Sequence, residues 1–173
     1  MERLEKQQCP FCNKKTLTLT EDEMDIPYFG KTYLFSMSCN GCKYTKADVE
    51  AAESKGSCRH SLEINDEKDM KIRVVKSSTA IVKIPQLKLS VEPGPSSIGY
   101  ISNVEGVLDR FKKIIESERD NSDEEDIKKK AKNLLKKLWK VKLGDYKIKL
   151  IIEDLNGNSA IISEKAKVEK IKK

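Results

Sequence analysis

Cys9-Pro10-Phe11-Cys12 and Cys39-Asn40-Gly41-Cys42 hold four of the chain's five cysteines, and 26 residues separate the two pairs. Each C-x-x-C pair places two thiolates on one tight turn, where they can form one edge of a metal tetrahedron. Two such pairs complete a site with four sulfurs. Zn²⁺ suits it, because zinc accepts four thiolates and has no redox state to protect. Two disulfides would need an oxidising compartment, and Met1–Lys6 carries no apolar run to serve as a secretion signal. A redox reading of C-x-x-C wants one motif opening a helix. Here there are two, and neither opens an amphipathic helix. One structural Zn²⁺ held by Cys9, Cys12, Cys39 and Cys42 is therefore expected. Such a site is closed to water and substrate, so it shapes the protein and does no catalysis.

Working outward, Lys14–Thr20 and Lys31–Ser38 alternate with β-branched and aromatic residues and read as two strands. Asp25-Ile26-Pro27-Tyr28-Phe29-Gly30 turns between them. This is the layout of a zinc ribbon over residues 1–50, in which the metal replaces a core too small to fold alone. Tyr28 and Phe29 have two readings: they dock the ribbon on the rest of the chain, or they form with Pro27 and Gly30 an exposed surface for a partner. Residues 47–55 read as a short helix or a linker. Cys58 reads as a free buried thiol and His60 as a surface histidine, because the two pairs already complete a tetrahedron.

The remaining chain, 51–173, is expected to form one β-rich domain. Short β-type runs cover Met70–Val75, Ala80–Ile84 and Leu87–Glu92, before Pro93-Gly94-Pro95 breaks the pattern. Residues 103–140 change period. Val104, Val107, Leu108, Phe111, Ile114 and Ile115 mark one amphipathic helix. Ile127, Ala131, Leu134, Leu135, Leu138 and Trp139 mark the apolar face of a second, opened by a capping box at Ser122–Glu125. The short connection predicts an antiparallel hairpin inserted between strands. Lys129, Lys132, Lys136 and Lys140 fall opposite the apolar face, as a solvated stripe or as a contact for phosphate or an acidic partner. Tyr146–Glu153 is a strong strand, Asp154–Asn158 a turn and Ser159–Ser163 a closing strand. Glu164–Lys173 reads as a frayed or disordered tail.

Composition bounds the function. The chain of 173 residues is 38% hydrophobic and 36% charged, with net charge +6. No run approaches the ~18 apolar residues of a membrane span, and a cytoplasmic protein without membrane contact is expected. Among 34 basic residues only Arg3, Arg59, Arg73, Arg110 and Arg119 are arginine. The sequence contains no P-loop, G-x-G-x-x-G or H-E-x-x-H motif, and its single histidine cannot build a facial triad. A non-enzymatic binding module is expected, with a nucleic-acid-binding zinc ribbon as the alternative.

The motif order resembles the ZPR-type zinc-finger family. The resemblance rests on Cys9-x-x-Cys12, Ile26–Gly30, Cys39-x-x-Cys42, Arg73–Ala80, Ile84-Pro85-Gln86-Leu87, Pro93-Gly94, Val104-Glu105-Gly106-Val107-Leu108 and Asp154–Ser159. It implies a zinc ribbon followed by a double-stranded β-helix domain with an inserted antiparallel helical hairpin, an α+β, mainly β fold. Eukaryotic members carry two such modules; a single module is similar to the archaeal form. The resemblance also implies a partner, a GTPase of the translation elongation factor 1-alpha type, and an adaptor or chaperone role. Lys43 departs from the family's usual Gly, Thr45 from its Arg, and Leu155-Asn156 from its Pro-Ala.

Overall fold

The computed structural model describes residues 1–27, 29–53 and 56–171. A four-stranded antiparallel sheet comes first: β1 (Glu2–Gln7), β2 (Leu17–Ile26), β3 (Gly30–Cys39) and β4 (Thr45–Ala51), ordered as in the chain. The expected hairpin is present and longer than its apolar pattern. Pairing runs without interruption from Leu17 opposite Cys39 to Ile26 opposite Gly30, through Glu21–Asp25. One expectation is corrected. Residues 47–51 are strand, not helix or linker, because β3 offers them a free edge; the pairing runs from Thr32 opposite Ala51 to Ser38 opposite Thr45. Glu2–Gln7 also forms a strand, fully exposed, along the edge of β2.

The second part is two antiparallel sheets facing one core. It contains β5 (Cys58–Ile64), β6 (Arg73–Lys76), β7 (Ile81–Ile84), β8 (Leu89–Val91), β9 (Tyr100–Asn103), α1 (Val104–Asn121), α2 (Glu125–Lys142), β10 (Ile148–Asp154), β11 (Ala160–Ile162) and β12 (Lys167–Lys170). The strand orders are β12-β5-β10-β7-β8 and β11-β6-β9. Leu62, Ile64, Val74, Ile84, Leu150 and Ile152 fill the space between the sheets, and α1 closes it with Val104, Val107, Leu108 and Phe111. Met70, expected in a strand, lies in a 3₁₀ turn over Glu67–Lys71. The tail is corrected as well: Lys167–Lys170 pairs with Cys58–Ser61, so it is an edge strand rather than a frayed end.

The helical hairpin is inserted where the period changes. Lys142 Nζ at the end of α2 meets Asp109 Oδ1 (2.7 Å) and Glu105 Oε1 (3.4 Å) near the start of α1, so the helices run antiparallel. Asn103 caps α1 through Oδ1, which accepts from Gly106 N–H at 2.8 Å. The capping box at Ser122 does not form. Ser122 ends α1, its N–H donating to Glu118 O, and the N-cap of α2 is Glu124, with no side-chain cap bond. Trp139 is 63% exposed rather than in the apolar face, because Ala131, Leu138 and Val141 supply the buried contact and leave it on the flank.

The two parts share a second cluster. Ile26, Phe29, Val49 and Ala51 from the first sheet pack with Val75 and Ala160 from the second. Polar contacts frame it: Gly99 N–H donates to Ala47 O (2.9 Å), Ser78 N–H to Asp48 Oδ1 (2.7 Å) and Ala51 N–H to Asn158 Oδ1 (3.2 Å). Phe29→Ala removes the largest side chain of this junction and is expected to cost about 3–5 kcal/mol, read as a lower urea midpoint. A loss below about 0.5 kcal/mol, the range of ordinary surface changes, would show that the junction is held by its hydrogen bonds instead.

Candidate metal centre

Both C-x-x-C turns have the same backbone. Asn13 N–H donates to Cys9 O (2.9 Å) and Lys43 N–H to Cys39 O (3.0 Å), closing each knuckle. Cys9 N–H reaches Lys14 O (3.0 Å) and Cys39 N–H reaches Tyr44 O (2.8 Å). The residue after the second cysteine is left-handed in each: Asn13 at φ 56° and Lys43 at φ 61°. Asn tolerates this region and glycine prefers it, whereas a side chain such as Lys carries a cost. The departure from Gly at position 43 thus falls at a strained backbone position.

The four sulfurs converge. All lie within 4.8 Å of one another, with Cys9–Cys42 and Cys12–Cys39 at 3.7 Å. Four sulfurs at ~2.3 Å from a central zinc are about 3.8 Å apart, so the spacing fits a zinc tetrahedron. It does not fit S–S bonds of ~2.05 Å. The four cysteines are positioned to hold one zinc ion. Cys9 and Cys39 are buried with Leu17, while Cys42 faces solvent.

Electrostatics favour a cation here. The Thr16 hydroxyl lies 3.2 Å from Cys39 Sγ and stabilises its thiolate; with backbone N–H groups of Cys42 and Gly41 it lowers that thiol to about 6. Gly41 permits the contact, since a Cβ there would sit 2.7 Å from Thr16 Oγ1. The Tyr44 N–H favours the Cys42 thiolate, but local desolvation beside the three neighbouring sulfurs and hydrogen bonding with them outweigh it and push that thiol up to about 12. A divalent cation among the sulfurs would favour the Cys42 thiolate beside that of Cys39.

The other residues singled out by the sequence go elsewhere. Pro27 is exposed, Gly30 is half-buried at φ 99°, and Tyr28 lies outside the described residues. Phe29 is 5% exposed and belongs to the junction, which is the docking reading of that residue. Cys58 is buried, its Sγ 3.9 Å from Ser159 O. His60 is buried rather than on the surface, because β10 and β12 flank it in the sheet; its Nδ1 accepts from Ile161 N–H at 3.3 Å. Sequence reasoning missed Phe11. It stands 69% exposed between the first two cysteines, with its ring 4.3 Å from that of Tyr44. The signal was an aromatic inside a knuckle, where no core exists to receive it.

The ZPR1 zinc-finger domain model matches residues 2–55, and the ZPR1 jelly-roll domain model matches residues 68–173. The chain belongs to the ZPR1 family. A ZPR1-like protein of Methanocaldococcus jannaschii is 39% identical over 165 residues, covering 95% of this chain and 83% of that protein. A ZPR1-like protein of Pyrococcus horikoshii is 36% identical over 169 residues, covering 95% and 76%. The zinc finger chaperone zpr1 of Schizosaccharomyces pombe is 28% identical over 141 residues, 79% of this chain but 30% of that longer protein. The double-stranded β-helix is thus the family's jelly roll, and archaeal relatives match this chain over most of their length.

Cys39→Ser is expected to lose zinc and the hydrogen-exchange protection of β2 and β3 while jelly-roll amides stay protected; stoichiometric zinc in a folded Cys39→Ser protein would defeat the four-thiolate assignment. Lys43→Gly relieves a left-handed residue worth about 1 kcal/mol and is expected to tighten zinc roughly fivefold in a chelator competition.

Proposed function

We propose that this chain is a non-enzymatic, zinc-stabilised protein-binding module that acts as an adaptor or chaperone for a GTPase of the elongation factor 1-alpha type. Cys9, Cys12, Cys39 and Cys42 are its zinc ligands, and the metal's role is to hold the knuckles in shape. The observation that carries the reading is Phe11, a large exposed aromatic fixed on a knuckle and backed by Tyr44. An exposed aromatic on a rigid support is the usual anchor of a protein interface. The family membership and the chaperone name of the fission-yeast relative support the same reading. Exposed Pro27 and the adjoining Gly30, at the opposite end of the β2–β3 hairpin, form a second and separate proposed contact, with Phe29 as their internal anchor.

Helix α2 carries a second reading, nucleic-acid contact. Lys129, Lys132, Lys136 and Lys140 are exposed as the sequence predicts, and Trp139 stands exposed beside Lys136 and Lys140. Aromatic and basic groups together suit single strands.

Calorimetric titration with an archaeal elongation factor in apo, GDP and GTP forms tests the first reading. Binding is expected, with one nucleotide state preferred, and Phe11→Ala is expected to weaken it by about tenfold or more. No binding in any state, from zinc-loaded protein, would overturn it. RNA binding that falls by about one log unit per log salt for each phosphate neutralised, and that Trp139→Ala weakens, would establish the second.

A further inference from the structure

A cleft of about 320 Å³ opens where β6, β9, α1 and the 92–99 loop meet, away from the zinc site. That size is in the range of small-ligand pockets, ~300–1,000 Å³. Its floor and walls are apolar: Val82, Val91, Val107 and Phe111 line it, and Ile98 and Ile114 stand half-exposed at its mouth. Lys76 reaches into this apolar space, exposed Arg110 and Lys113 stand at its rim, and no acidic residue among those described lines it.

Lys76 is the unusual member. It is 4% exposed, and buried lysines ordinarily face a carboxylate. Among the described residues no carboxylate oxygen lies within 4 Å of its amine. Its contacts are long and neutral, to Ser97 Oγ (3.3 Å), Ile98 O (3.4 Å) and the Tyr100 ring (5.8 Å to the centroid). The carboxylates whose fields reach it are engaged elsewhere, Asp48 by Ser78 and Asp154 by Ser77 and Ser159. Burial holds the Lys76 amine below its ordinary value, and Arg110 adds to that. Arg110 is held in place: its guanidinium lies 3.8 Å from the Tyr100 ring centroid and donates to Gly106 O at 3.1 Å. That leaves other N–H donors of the fork for an incoming group. One buried amine, with a held guanidinium at the solvent edge beside it, leaves room for an anion between them.

We propose that this cleft binds a small amphipathic anion, its carboxylate or phosphate head group meeting Lys76 and Arg110 and its apolar body lying against Phe111, Ile98 and Ile114. Lys113 at the rim draws the head group inward. An uncharged molecule of the same shape would cover the buried Lys76 amine without supplying an opposite charge, so charge decides selection.

Decanoate, decyl phosphate and decanol, titrated calorimetrically into the zinc-loaded chain, test this. Both anions are expected to bind with one-to-one stoichiometry and decanol at least about tenfold more weakly. Binding of one anion alone identifies the head group as carboxylate or phosphate and supports the site. Lys76→Met is expected to weaken the anions about tenfold or more, with Lys147→Met, an exposed lysine that does not line the cleft, unchanged. Should Lys76→Met fail to fold, Lys113→Met keeps the test open, because it removes a rim charge without entering the core and is expected to lower anion affinity severalfold. Equal affinity for decanol, no anion binding, or full affinity in a folded Lys76→Met protein would each overturn the proposal.

Discussion

The Asp154 carboxylate is buried at the centre of the fold and has to be satisfied there. An uncompensated buried charge costs several kcal/mol. Asp154 accepts from Ser77 Oγ (2.8 Å), Thr79 Oγ1 (3.3 Å), Ser159 Oγ (2.6 Å), and the N–H groups of Asn156 (2.9 Å) and Asn158 (3.1 Å). These donors come from the end of β6 and from the loop joining β10 to β11, so one carboxylate ties both jelly-roll sheets together. Gly157 makes the loop possible twice over. It takes φ 72°, and a Cβ there would collide with the backbone of Gly56. With the loop so placed, Asn158 can accept from Ala51 N–H, and neighbouring Ser78 can donate to Asp48. The outer edge of β4 is thereby paired by loop groups instead of being left open to another chain.

What could be read from the sequence follows from where the physical cause lies. The cysteine spacing carries its own chemistry, and the structure brings all four sulfurs together. The helical hairpin announces itself because its apolar residues repeat at three and four positions, a local signal. The edge strands have no such signal. Glu2–Gln7 has no buried residue, Lys167–Lys170 is exposed throughout, and Thr45–Ala51 is written largely in residues that favour helix. Each becomes a strand because a neighbour offers unpaired N–H and C=O groups, a tertiary cause that overrides local preference. The burial of His60 follows from the same cause, since β12 completes the sheet beside it.

Trp139 and Phe11 show the complementary limit. Both are large aromatics, and residue type alone argues for burial. Trp139 sits one position beyond Leu138, and a step of about 100° is enough to carry it off a narrow apolar face. Phe11 sits on a turn whose core is a metal site and two buried thiols, with little apolar volume to receive a ring. Phe29 is the reverse case. It lies in a turn whose aromatics read either as a docking contact or as an exposed patch, and its ring packs with Val75 and Ala160.

The β2–β3 hairpin sets the mechanical relation between these regions. Its ten-residue strands carry the cysteine knuckles at one end, Leu17 opposite Cys39, and the junction at the other, Ile26 opposite Gly30. At ~3.3 Å per residue these ends are roughly 30 Å apart. Between them much of β2 is exposed, including Glu21, Glu23, Met24 and Asp25. The middle of the hairpin therefore contributes little core, and each end must be secured by its own means. Apolar packing with the jelly roll secures one end, and the other ends in four cysteines positioned to hold one zinc ion. Removing the metal would release the knuckle end, with Phe11 and Tyr44, while leaving the buried junction intact. Zinc therefore acts locally in this architecture, keeping an aromatic surface in shape at a distance from the domain that anchors it.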